Sequence, residues 1–76
     1  MPTIRELRLE RDMSQAALAA RSGLSIPVIS RMENGHAVQP YAFKLVCQAL
    51  EVSPSTITGV NVSSAVQAAA KRKKRP

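Results

Sequence analysis

One glycine set between two short stretches of helical periodicity limits the folds open to this chain more than any other feature. Counted from Gln15, the residues Leu18, Ala19, Gly23, Leu24, Ile29 and Met32 stand at positions 4, 5, 9, 10, 15 and 18. Each has a mechanical reason to be there. Ala19 is small where the two stretches approach most closely. Gly23 can take the left-handed backbone of a tight turn without a side-chain clash, and Leu18, Leu24, Ile29 and Met32 form an apolar wedge beneath the corner. Two short helices meeting over a shared wedge are expected. An ordinary helical hairpin of a structural bundle is the plainer reading of the same spacing.

The remaining punctuation divides the chain into further short helices. Thr3 and Glu6 have the spacing of a capping box, so a first helix is predicted from about Ile4 to Arg11, with Ile4, Leu7, Arg8 and Arg11 on one stripe. Ser14 can cap a second helix that runs through Ser22 and stops at Gly23. Ser25 caps a third that ends near Asn34-Gly35; Pro27 fits only in its first turn, where its missing N–H costs no intrahelical bond. Pro40 opens a fourth, with Phe43, Val46, Cys47 and Leu50 at the spacing of a buried face. Ser53-Pro54 then opens a short fifth turn, with Ile57 inward and Gly59 ending it. No alternating run is long enough for a convincing strand. The expected fold class is therefore all-α, a compact five-helix bundle over residues 1–59. Val60-Asn61-Val62 reads equally as an extended piece, a linker or a partner contact. Residues 60–76 form an Ala-rich, basic extension, either helical from Ala65 to about Lys74 or disordered until a partner is met.

Composition excludes several classes. With 76 residues there is one small domain at most, burying roughly 60 to 65 per cent of the surface its unfolded form exposes, which disfavours a large cleft enzyme. Tyr41 and Phe43 are the only aromatics, so the core must be aliphatic and Ala-rich. Lone Cys47 rules out an internal disulfide, and with one histidine, His36, the chain lacks the ligands of a Cys/His zinc site. The five carboxylates show no nucleophile–base or paired-acid arrangement, and no glycine-rich phosphate loop exists, so neither enzyme activity nor a cofactor is expected. No apolar run approaches the ~18 residues of a membrane span, and Met1 to Arg8 mixes charges where a signal core would be apolar, so the sequence reads as intracellular. The net charge of +6 is unevenly spread: Lys71, Arg72, Lys73, Lys74 and Arg75 hold five of the eleven basic residues, leaving six against five acidic ones in the first seventy. The tail suggests a polyanion partner, but sequence-specific recognition has to come from particular side chains on the nearly neutral body.

The spacing counted from Gln15 is that of a helix-turn-helix. Through Ile4-Arg5-Glu6-Leu7-Arg8, Met13-Ser14-Gln15, Leu18-Ala19, Ile29-Ser30-Arg31-Met32-Glu33-Asn34-Gly35 and Ala49-Leu50, the chain resembles the Xre/Cro family of phage-repressor-like DNA-binding domains from residue 3 to about residue 58. The resemblance implies a five-helix bundle, usually dimeric, whose third helix enters the major groove of double-stranded DNA. It also implies a buried ion pair between Arg8 and Glu33, and a phosphate or base-flank contact by Gln15. The exposed N–H groups at the start of the second helix favour an anion on their own account.

A helical wheel sorts the third helix independently. Ile29 and Met32 face inward with Glu33 beside them, while Pro27, Val28, Ser30, Arg31 and Asn34 are left outside. Ser25 and Ile26, at the start of the same helix, complete the candidate DNA-reading set. Arg31 is the best single base reader, because its planar fork of donors matches O6 and N7 of guanine; a phosphate contact is its alternative. Ile26, Pro27 and Val28 depart from the polar residues common there in the family, and point instead to packing on thymine methyls, to shape readout or to a protein contact. Asn34 serves equally as a backbone anchor or a helix cap. Tyr41 and Lys44 can reach the sugar-phosphate strand, although simple exposure explains them as well. His36 is a turn residue. Lys71 to Arg75 form a phosphate-seeking arm, or else a solubility tail.

These residues predict a transcription regulator, repressor before activator, that binds a short inverted repeat as a homodimer. The sequence does not identify the dimer interface; helix 5 and the following Ile57, Val60 and Val62 are the first candidates to test, with completion of the core as their plainer role. The expected setting is cytoplasmic, of bacterial or phage type, with the protein on the nucleoid when bound. The alternative is an antitoxin-like inhibitor whose C-terminal extension folds on a protein partner while the body binds its own promoter.

Overall fold

The helix starts are set by the side chains that the sequence places at them. In the computed structural model, which describes residues 1–63, Thr3 and Glu6 form a reciprocal capping box: Thr3 Oγ1 accepts from the Glu6 N–H at 3.1 Å and Glu6 Oε1 accepts from the Thr3 N–H at 2.8 Å. This opens α1, Ile4–Glu10. Ser14 Oγ accepts from the Ala17 N–H at 3.0 Å and opens α2, Gln15–Ser22. Ser25 Oγ accepts from the Val28 N–H at 3.4 Å and opens α3, Ile26–Glu33, with Pro27 in the first turn. The fourth helix, α4, spans Pro40–Leu50 and starts on its proline without a side-chain cap.

Helices α1 to α4 end in one way. At Asp12, Gly23, Gly35 and Glu51 the chain turns left-handed, with φ of 52°, 79°, 80° and 59°. The next residue then donates its N–H back across the turn: Met13 to Arg8 O, Leu24 to Ala19 O, His36 to Arg31 O and Val52 to Cys47 O, each at 3.0 Å. This closure satisfies carbonyls that the end of a helix would otherwise leave bare.

Where a fifth helix is predicted, the chain makes only a single 3-10 turn, Pro54–Thr56, after which Ile57 is already extended at φ −111° and ψ 139°. Nor is the described part wholly helical. Ala37–Val38 (β1) and Asn61–Val62 (β2) pair in parallel, with Ala37 opposite Asn61 and Val38 opposite Val62. The Ser63 N–H extends the pairing by donating to Val38 O at 3.0 Å. The Val60-Asn61-Val62 stretch is thus an extended piece.

The core is aliphatic, with Ile4, Leu18, Ile29, Met32, Val46 and Leu50 its largest fully buried side chains. Leu18 and Ile29 are 0% exposed and Ala19 4%, and Leu24 packs against the cluster at the corner, so the wedge lies under the α2–α3 turn as expected. Helix α2 packs on both α3 and α4, and α1 packs on α3. On α1 and α4, two side chains sit differently from expectation. Arg11 is exposed and not in the inner stripe, because α1 ends at Glu10 and its guanidinium turns back to donate to Leu7 O at 3.1 Å. Phe43 is only half-buried, and Ala42 takes the inner place beside Val46. Ile57 is buried, and Val60 packs on the core. No helix among the described residues is long and apolar enough to cross a membrane.

Candidate nucleic-acid interface

The inner edge of α3 is held to the rest of the domain through Glu33. Arg8 donates from Nε to Glu33 Oε2 at 2.6 Å and from Nη2 to Oε1 at 3.2 Å, so the pair is two-pronged. The two side chains are 9% and 6% exposed. A third donor, Gln15 Nε2, reaches Oε1 at 3.0 Å, and Arg8 Nη1 donates to Met13 O at 2.9 Å. Burial pushes the Glu33 carboxyl up, but the hydrogen bonds from Arg8 and Gln15, with the charges of Arg8 and Arg5, outweigh it and hold the group below its ordinary value. One carboxylate thereby ties the end of α3 to α1 and to the first residue of α2.

The opposite side of α3 is open. Ser25, Ile26, Pro27, Arg31 and Asn34 are exposed, Ile26 by 47%. Val28 and Ser30, placed outside by the wheel, are half-buried, and Val28 leans on the core. The Ser25 hydroxyl is engaged as the helix cap, and Asn34 Nδ2 donates to Ser30 Oγ at 3.4 Å. Tyr41, 59% exposed, and Lys44 stand on α4.

Between the outer face of α3 and the start of α4 lies a hollow of about 190 Å³. Val28, Val38 and Ala42 line it with apolar groups, and Arg31, Gln39 and Tyr41 line it with polar ones. The structure thus brings Val28, Arg31 and Tyr41 around one depression. Gln15 sits apart, on the Glu33 carboxylate, and Ser25 and Lys44 do not line the hollow. Gln39 was not foreseen: it is exposed, precedes the helix-opening Pro40, and makes no side-chain cap bond. Its place immediately before a helix-starting proline was the available signal. Lys71, Arg72, Lys73, Lys74 and Arg75 lie outside the described residues.

A short helix fastened along one edge, presenting the other edge across a glycine corner, defines a DNA-binding helix-turn-helix domain. A family model described as Helix-turn-helix matches residues 4–57. The chain belongs to that family, in its Xre/Cro form, and is a DNA-binding transcription regulator. The resemblance drawn from the sequence is thereby borne out. A search of curated proteins found no match.

Proposed function

We propose that the chain is a sequence-specific repressor that binds an inverted-repeat operator as a homodimer, with α3 in the major groove. The observation that carries this reading is the division of α3 into a fastened edge at Glu33 and an open face from Ser25 to Asn34. Eight residues of helix are about 12 Å long, which suits a groove about 12 Å wide. Arg31 supplies the fork for a guanine, while Ile26, Pro27 and Val28 offer apolar contact for thymine methyls, so the half-site contains T. With one Nε2 hydrogen on Glu33, Gln15 keeps its other N–H and its carbonyl for the flank of the site. Tyr41 and Lys44 face the sugar-phosphate strand, and the C-terminal cations add salt-sensitive affinity.

One domain of this size offers too few contacts for tight specific binding, which is the energetic reason for a dimer. Its recognition helices would then stand about 34 Å apart, one turn of DNA. Repression follows most simply, since a dimer seated on a promoter excludes the polymerase by occupancy. The test is selection of bound sequences from random duplexes by the full chain at several salt concentrations. Inverted half-sites centred about 10 base pairs apart are expected. Equal retention of all sequences at every salt concentration would overturn the reading, and enrichment of a single unpaired half-site would remove the homodimer from it.

A further inference from the structure

The core takes two of the three apolar side chains that the last described segment offers for pairing two copies. Ile57 is buried and Val60 packs on the core, whereas Val62, half-buried, does not pack on it. Its backbone is open too. Ser63 donates its N–H to Val38 O at 3.0 Å, with Val38 opposite Val62 in the parallel ladder. Successive residues of a strand turn their N–H and C=O groups to opposite edges, so the backbone groups of Asn61 and Ser63 face β1 and those of Val62 lie on the outer edge. Among the described residues neither group of Val62 has a backbone partner. Edge strands are ordinarily guarded by charge or proline. Val60-Asn61-Val62-Ser63 has neither, and no charged residue occurs from Val52 to Ser63. The edge is also held in place, with Thr58 bonded to Pro2 O at 2.9 Å before it and Ser63 to Val38 O after it.

We propose that β2 is the homodimer contact: its outer edge pairs antiparallel with β2 of a second copy, Val62 opposite Val62, joining two β1–β2 pairs into one four-stranded sheet. This rests on the DNA-binding reading above and names the surface that brings two half-site readers together. Antiparallel pairing of a strand with its own copy is two-fold symmetric, and donor then meets acceptor twice. Each Val62 N–H donates to the Val62 C=O of the other copy, with the Cα atoms about 5.5 Å apart. The uncharged edge sets no like charges against each other. The same dyad suits an inverted repeat. Only Asn34, Gly35 and His36 separate α3 from β1, so the sheet sets the position of each recognition helix relative to the dyad.

The test reads binding to the selected inverted repeat and to a duplex with one half-site. Val62→Pro removes the outward N–H and leaves the bond from Ser63 to β1 in place. It should melt as the parent does and bind the single half-site equally well, but lose roughly 10- to 100-fold on the inverted repeat, the worth of two backbone hydrogen bonds. Val62→Cys gives a second readout should the proline variant not fold. A Cα separation of about 5.5 Å lies within disulfide range, so oxidised glutathione should link two chains into a dimer that still prefers the inverted repeat, while buried Cys47 stays out of the exchange. A folded proline variant that keeps the full gain from the second half-site overturns the proposal. So does a Val62→Cys chain that stays unlinked, or one that links into a dimer without operator binding. Should the parent itself gain nothing from the second half-site, the homodimer reading has failed and the edge pairing falls with it. Failure of the DNA-binding reading looks different: selection yields no preferred sequence at all.

Discussion

At Glu33, three donors from two other helical elements converge on two oxygens, and Arg8 adds a fourth bond to the backbone of Met13. Removing the guanidinium leaves a carboxylate with one amide partner at a site that is 6% exposed. Arg8→Ala is expected to cost on the order of 3–5 kcal/mol in chemical denaturation, and unchanged stability would contradict the account of the pair. The same carboxylate sets an acid limit. Its native pKa lies below the ordinary 4.5, so its charge stabilises the fold above that value and the contribution is lost as pH falls through the lower native value. Glu33→Gln should melt lower than the parent at neutral pH, with the gap narrowing below about pH 4.5; a constant gap down to pH 3 would refute this. Arg31 has no such structural duty. Arg31→Ala should leave the melting temperature alone and relax preference at one base pair by about 1–3 kcal/mol, whereas uniform weakening on all operator variants would make it a phosphate contact.

At the scale of the element, the common closure explains both what could be read in advance and what could not. Gly23 and Gly35 announce their left-handed turns because they are glycines, and no heavy atom lies within 4 Å of a Cβ built on either. Their requirement is the positive φ, not space. Asp12 and Glu51 adopt nearly the same conformation with side chains that dislike it, so the ends of α1 and α4 carry no glycine signal. Glu51 also places a negative charge at a helix C-terminus. Glu51→Gly should therefore raise stability by about 0.5–1 kcal/mol, and Asp12→Gly by less, since aspartate tolerates this region better. A calorimetric scan that finds either variant less stable than the parent would contradict the closure argument. The starts of α1 to α4 were legible because a Ser, Thr or Pro fixes each one locally. The predicted fifth helix fell short because Pro54 begins only one turn before Ile57 is drawn into the core in extended form. The β1–β2 pair was illegible as well. Two residues show no alternation, and their partners come from opposite ends of the α4 segment.

For the whole molecule, the wedge under the corner was legible because offsets report which residues share a face, whereas the Arg8–Glu33 contact was implied by the family resemblance and not by the wheel. The hollow between α3 and α4 was not legible, since Gln39 and Tyr41 meet Arg31 only once tertiary packing brings them together. Both ends of the described chain are fastened to the body, Thr58 donating to Pro2 O at 2.9 Å and Ser63 to Val38 O. A domain closed at both ends should open as one unit. Cys47, a buried residue of α4 that is 2% exposed, gives that expectation a stopwatch. Burial pushes its thiol up, so in the native state it is both screened and protonated, and an alkylating reagent can reach it only when the interior is breached. The rate at which this sulfur is capped in plain buffer would therefore rank the substitutions above without heat or urea, using an atom that otherwise only fills space in the core.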